Sequence, residues 1–435
     1  MSDVLSAWEP RRGEWDRAAA AHLYRRAGFG AGAGELDAAL AGGYETAVAG
    51  LVEHEPDDGP LRAGARHLLA AGELPPLAAW WMALMLGGGA PLRERMTLLW
   101  HDHFATSNAK VGDVRLMHRQ NELLRERGLG DFRELLHAVA QDPALLVFLD
   151  GGLNRRGEAN ENFARELMEL FALGRGSYGE RDVQEAARAF TGWGTSGRSF
   201  ELRADHHDGG EKTVLGRSGA LSGEDVVDVL LEQPACARWI AARLLAELVA
   251  PDPEPAWVDA TAELLVREQW SVLSTVRALL SSALFFSPRA RRARIAGPVE
   301  LVVSTARALG GRIAPSAAAR AAEEMGQALF RPPSVKGWDG GRAWINAGAW
   351  AARHNFLASA AGEEPELAVD AAALLGHPST PAEAAERAVL LLTPDLAGSS
   401  FAASLLEAVA AQGEGPGAAG FALALVLTAP EYHLY

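Results

Sequence analysis

The stretch PLRERMTLLWHDHF, residues 91–104, decides how the chain is read. Met96, Leu99 and His103 fall on one face, because steps of three and seven residues advance about 300° and 700° at about 100° per residue. A helix is expected, with His103 turned inward. On that helix His101 lies about 160° from His103, so both imidazoles reach one metal only if the backbone becomes extended here, as in a strand where i and i+2 share a face. The ATSN that follows can end a helix, which leaves that option open.

Working outward, the same period recurs in WDRAAAAHLYRRAGF (15–29), PPLAAWWMALMLGG (75–88) and PAEAAERAVLLLT (381–393), all rich in strong helix formers. The expected fold is mainly α, a multi-helix orthogonal or bundle-like domain. GGG at 87–89, GG at 151–152 and RPPSV at 331–335 punctuate the helices at ordinary loop lengths and mark no interdomain linker. One large helical domain over 1–360 is expected, with an Ala-rich helical extension over 361–435 packed on it. Within that extension GEGPGAAG (413–420) reads as a flexible turn before a last apolar helix. One segment departs from the pattern. TGWGTSGRSFELRADHHDGGEKTVLGRSG (191–219) is Gly-rich, with candidate strands SFELRA and KTVLG around HHDGGE, and reads as a small β-hairpin or ordered loop inserted in the helical body. Ser222 then caps a helix, and helices continue to about 281.

The totals remove several function classes. A chain of 435 residues with 49% apolar composition can build a real core. Its formal net charge of −15 argues against nucleic acid, which requires clustered cations. The single Cys236 excludes an intramolecular disulfide and cysteine-rich zinc sites. No run approaches the roughly 18 apolar residues of a membrane span. Arg11-Arg12 is followed by no apolar export segment, so a cytoplasmic location is expected. GFGAGAGEL (28–36) follows a helix and lacks the dinucleotide spacing, so no nucleotide cofactor is expected.

Three clusters carry residues suited to chemistry. The first is His101-Asp102-His103, where neutral imidazole can ligate a metal or serve a structural hydrogen bond. The second is EANENFARELMELFALG (158–174), a helix whose apolar stripe, Phe163, Leu167, Leu170 and Phe171, is bordered by Asn162, Glu166 and Glu169. Two such carboxylates suit a helical-bundle metal site or an acid/base pair, and equally suit pairing with nearby arginines. The third is His206-His207-Asp208, on a loop with no packing pattern to explain it. There the alternative is a solvated turn, with Asp208 bonding the glycine backbone. FRPPSVKGWDGGRAWIN (330–346) is an aromatic loop able to line a pocket, with Lys336 or Arg342 positioned for a substrate anion, or else an aromatic-anchored structural loop. The basic run PRARRARIAGPVE (288–300) is expected to meet acidic groups of the chain itself.

In order along the chain, HLYRRAGFG (22–30), LLWHDHFATS (98–107), NENFARELMELFALG (160–174), DVQEAARAFTGW (182–193), HHDGGEKTVLG (206–216) and MGQALFRPPSVKGWDGGRAWI (325–345) resemble the bacterial family catalogued as domain of unknown function 1800. The resemblance covers about residues 15–360. It implies that His101, His103, Asn160, Asn162, Glu166, Glu169, His206, His207, Asp208, Lys336 and Trp338 belong to shared motifs, and it brings no established reaction.

The leading expectation is therefore a metal-dependent enzyme, oxidative or hydrolytic. His101, His103, Glu166, Glu169, His206, His207 and Asp208 would surround Fe, Mn or Zn, a mixed nitrogen and oxygen set that disfavours calcium and copper. Glu166, His207 and Lys336 would be catalytic, and Asn160, Asn162, Trp338 and Arg342 would meet a small-molecule or peptide substrate. One alternative is a non-catalytic helical binding or maturation protein, with a protein partner, whose motifs are buried networks with carboxylates on arginines such as Arg165, Arg188 or Arg342. A second is a metal-free acid/base enzyme acting on an anionic substrate.

Overall fold

Capping side chains punctuate the chain into helices. Asp16 accepts from Ala19 N at 2.8 Å to start Arg17–Ala27. Asp113 starts Val114–Arg127, and Ser222 starts Gly223–Leu231 through a reciprocal box with Asp225, each supplying an acceptor to otherwise orphaned N–H groups. The computed structural model describes residues 3–53, 58–360, 367, 369–413 and 417–435. Over these the protein is mainly helical, as its periodicity requires, with two small two-stranded antiparallel sheets. Part of the turn expected at 413–420 lies outside the described residues.

The Gly-rich insertion differs from its expected pairing. SFEL and KTV do not pair with each other. Strand β1 (Trp193–Ser196) pairs with β2 (Ser199–Leu202), and β3 (Lys212–Val214) with β4 (Arg217–Gly219). Each pair closes over two residues. In the second hairpin these are Leu215 and Gly216, at φ +48° and +86°, the left-handed pair that matches strand twist. The His206-His207-Asp208 segment is thus the connection between two hairpins rather than the tip of one.

Two large apolar clusters form the core. One gathers residues between Leu5 and Ala290, including Trp100, Phe104, Phe132, Phe163 and Phe171. The other joins Leu74–Gly87 and Pro298–Ala308 to the Ala-rich C-terminal helices, including Ala388, Leu392 and Val426. Pro91–His103 runs between them, with Leu92, Met96 and Leu99 in the first and Leu98 in the second. A helix covered on all faces must neutralise every polar side chain it carries. That requirement shapes the site. Among the described residues no helix is long and apolar enough to cross a membrane.

Candidate functional site

The helix continues through His103, so its two histidines face different surroundings. His101 lies among Trp81, Phe330 and Trp338, and its Nε2 accepts the Phe330 backbone N–H at 3.1 Å. His103 reaches the opposite side, where Nε2 donates to Phe171 O at 3.0 Å. That carbonyl lies in the last turn of the π-helix Leu167–Ala172, where it has no intrahelical partner; the neighbouring Leu170 O accepts from Trp239 Nε1 at 2.8 Å. Burial lowers both histidines to about 3, so both imidazoles are neutral.

The carboxylates of the other clusters meet guanidinium groups. Glu169 takes Arg175 at 2.5 Å and the Tyr178 hydroxyl at 3.1 Å. Asp208 takes Arg188 at 2.8 Å and Gly210 N at 2.9 Å. His207 Nδ1 donates to Thr191 O at 2.9 Å. His206 stands 3.7 Å from Asp205. Asn160 Oδ1 accepts from Asn162 N, and Asn162 Nδ2 donates to Leu149 O, so both amides fold the start of the Glu helix. Glu166 alone among the nominated acids makes no hydrogen bond or ion pair with the described residues; burial, then the Glu169 charge, raises its pKa. Lys336 pairs with Asp339 at 2.7 Å on the exposed surface, and Arg342 is likewise exposed.

The expected joint centre is therefore not assembled. Among the described residues no three His, Cys, Asp or Glu side chains form a group that could hold a metal ion. The physical reason is the helical backbone at 101–103, which sends the two imidazoles apart, and the local arginines, which take Glu169 and Asp208.

Two of the motifs, 98–107 and 325–345, meet at a cavity of about 90 Å³, lined in part by Asp102, Glu247, Arg294, Glu300, Gln327 and Trp338. Asp102, between the two histidines, accepts Trp338 N at 2.8 Å on Oδ1 and Arg243 Nη2 at 2.9 Å on Oδ2. Behind it a closed ring of four charges alternates in sign. Arg95 Nε lies 2.7 Å from Glu247, Arg294 lies 3.1 Å from Glu247 and 3.2 Å from Glu300, and Arg95 closes the ring on Glu300. The Arg95 side chain is wholly buried, and none of its guanidinium nitrogens meets a hydrogen-bond angle, so its contacts are ionic. Glu300 also accepts Gly297 N, and the arginines hold its carboxyl down at about 2 against the opposing effect of burial, which is the largest single influence. Arg26 completes the assembly by donating to Leu248 O at 2.9 Å, Val249 O and Tyr435 O at 3.2 Å.

Of the residues nominated for metal, catalysis or substrate, only Trp338 lines this cavity. Arg95, Arg243, Glu247, Arg294 and Glu300 were not singled out. The available signal was Arg95 itself, one residue from Met96 and four from Leu99, beside the apolar face of its helix. The basic run does meet acids of its own chain, Arg289 on Glu254, Arg292 on Asp395 and Arg294 on Glu247.

No curated protein and no solved structure matches this chain. The model of a family described as "Protein of unknown function (DUF1800)" matches residues 22–434. A match over nearly the whole length makes this chain a member of the DUF1800 family.

Proposed function

We propose that this chain is a non-catalytic helical binding or maturation protein whose His and carboxylate motifs are structural networks. The observation that carries the reading is the pairing of motif carboxylates with guanidinium groups: Asp102 with Arg243, Glu169 with Arg175 and Asp208 with Arg188. A ligand set needs its acids free and its imidazoles convergent. Here Glu169 and Asp208 are paired locally, and His101 and His103 satisfy backbone groups on opposite sides of one helix. Polar networks that tie distant segments together hold one arrangement of the fold without turnover.

A second reading draws on Glu166, half-buried with a raised pKa and no arginine partner, which suits metal-free acid/base chemistry. The test is elemental analysis of protein purified without a metal-binding tag, alongside Glu166→Ala and His207→Ala. Metal well below one equivalent in all three proteins is the expected result. One equivalent of Fe, Mn or Zn in the wild type, lost in both variants, would restore the metal-dependent enzyme.

A further inference from the structure

A second cleft, of about 490 Å³, lies between Val114–Arg127, the Ala138–Pro143 corner and Phe200 of β2, and it includes none of the residues nominated for metal or substrate. Asp142 lines it. This aspartate is 3% exposed; its Oδ2 accepts from Gln120 Nε2 at 2.8 Å and from Leu145 N at 3.0 Å, and the Ala144 backbone N–H also reaches the carboxylate. Capping the Pro143–Phe148 helix uses that one oxygen. No side chain of the described residues donates to Oδ1, so that oxygen keeps accepting capacity on a residue that lines the cleft.

Three other groups complete the wall. Arg119 spends one nitrogen on Arg198 O, and its charge reaches Asp142 closely enough to oppose the rise that burial imposes on that carboxyl. Leu123 and Phe200 supply apolar surface. His118, whose ring lies 5.0 Å from that of Trp80, keeps a buried Nε2 with no hydrogen-bond partner. The acids on the rim have cationic partners, Glu122 in Arg62 and Arg125 and Glu126 in Arg62 at 2.8 Å. The cleft thus presents an acceptor oxygen and a guanidinium near each other, beside an apolar wall.

We propose that this cleft binds a small zwitterion of the α-amino-acid class, its ammonium on Asp142 Oδ1, its carboxylate on the Arg119 guanidinium and its side chain against Leu123 and Phe200. A ligand bearing both charges satisfies both walls at once, whereas a simple anion or amine leaves one unmet. The inference is independent of how the His and carboxylate motifs are read.

The experiment is calorimetric titration of the full chain with L-leucine and L-phenylalanine, and with acetate and n-butylamine, which carry one charged end each. Saturable binding of at least one amino acid is expected, about tenfold or more tighter than either single-ended probe, with a similar loss in Asp142→Asn and in Arg119→Gln, since one charge-assisted hydrogen bond corresponds to about that factor. Asp142→Asn alters a helix cap and can lower stability, so Arg119→Gln, at an exposed position, is the deciding variant. Absence of binding by both amino acids, acetate binding as tightly as either, or unchanged binding in Arg119→Gln would each overturn the proposal.

Discussion

His101 Nε2 accepts the backbone N–H of Phe330 at 3.1 Å, joining positions 229 residues apart. Phe330 sits at φ +62°, a left-handed conformation that an aromatic residue adopts only when its surroundings enforce it. His101→Ala would leave that N–H buried without a partner and open space beside Trp81, so a loss of about 2–4 kcal/mol is expected. His101→Gln keeps an acceptor and should recover part of it. Urea unfolding checks both; an alanine variant as stable as the wild type would show that the contact holds nothing.

Gly337 tests the neighbouring loop. At φ +82°, a Cβ added there would stand 2.3 Å from Asp102 Oδ1 and 2.6 Å from Asp102 O. Gly337→Ala must push the loop off Asp102 and break the Trp338 N–H bond, at a cost of about 2 kcal/mol or more. The change in Trp338 fluorescence reports the displacement alongside the stability loss.

Arg95 gives the largest expected single effect. Arg95→Met leaves Glu247 and Glu300 with half their countercharge in a closed interior, and removing one partner of a buried ion pair costs about 3–5 kcal/mol. Adding Glu300→Gln should return part of that loss, because the orphaned charge goes with it. Losses that simply add, measured by urea unfolding, would contradict a coupled ring.

Much of this fold was legible in the sequence, for reasons specific to particular elements. The apolar period of 91–104 and the Ser222 cap both specify helices locally, and both are present. The strand pairing at 191–219 was not legible, because two-residue turns at Gly197-Arg198 and Leu215-Gly216 carry none of the stronger Asn-Gly or Asp-Gly signals. The ring was hidden for another reason. Arg95, Glu247, Arg294 and Glu300 come from three distant segments, and a lone arginine on a helix reads the same whether its partner is water or a buried glutamate. Motif composition suggested ligands where folding supplies guanidinium partners.

Acid sensitivity follows from the neutral imidazoles. His101 and His103 titrate at about 3 in the fold and near 6.5 when unfolded, so the unfolded chain gains protons first and stability is lost as pH falls from 6.5 toward 3. Asp142 acts oppositely. Burial pushes it up to about 6, so between pH 6 and 3.8 the folded state holds a proton that the unfolded chain lacks. By themselves these two histidines against this aspartate contribute a loss of about 1.4 kcal/mol per pH unit in that window, and His22 and His433, also lowered by burial, act in the same direction. Urea midpoints at pH 7, 6 and 5 should fall in that order, and His101→Gln should flatten the trend. A midpoint that rises on acidification would contradict buried neutral histidines.

The most direct measurement compares urea unfolding of the full chain with and without a strong chelator. If the motif side chains satisfy one another and the backbone, the midpoint is the same in both. A metal bound to the folded state would add stability in proportion to its occupancy, so a midpoint that drops on chelation and returns with added Fe, Mn or Zn would contradict the structural reading of these motifs.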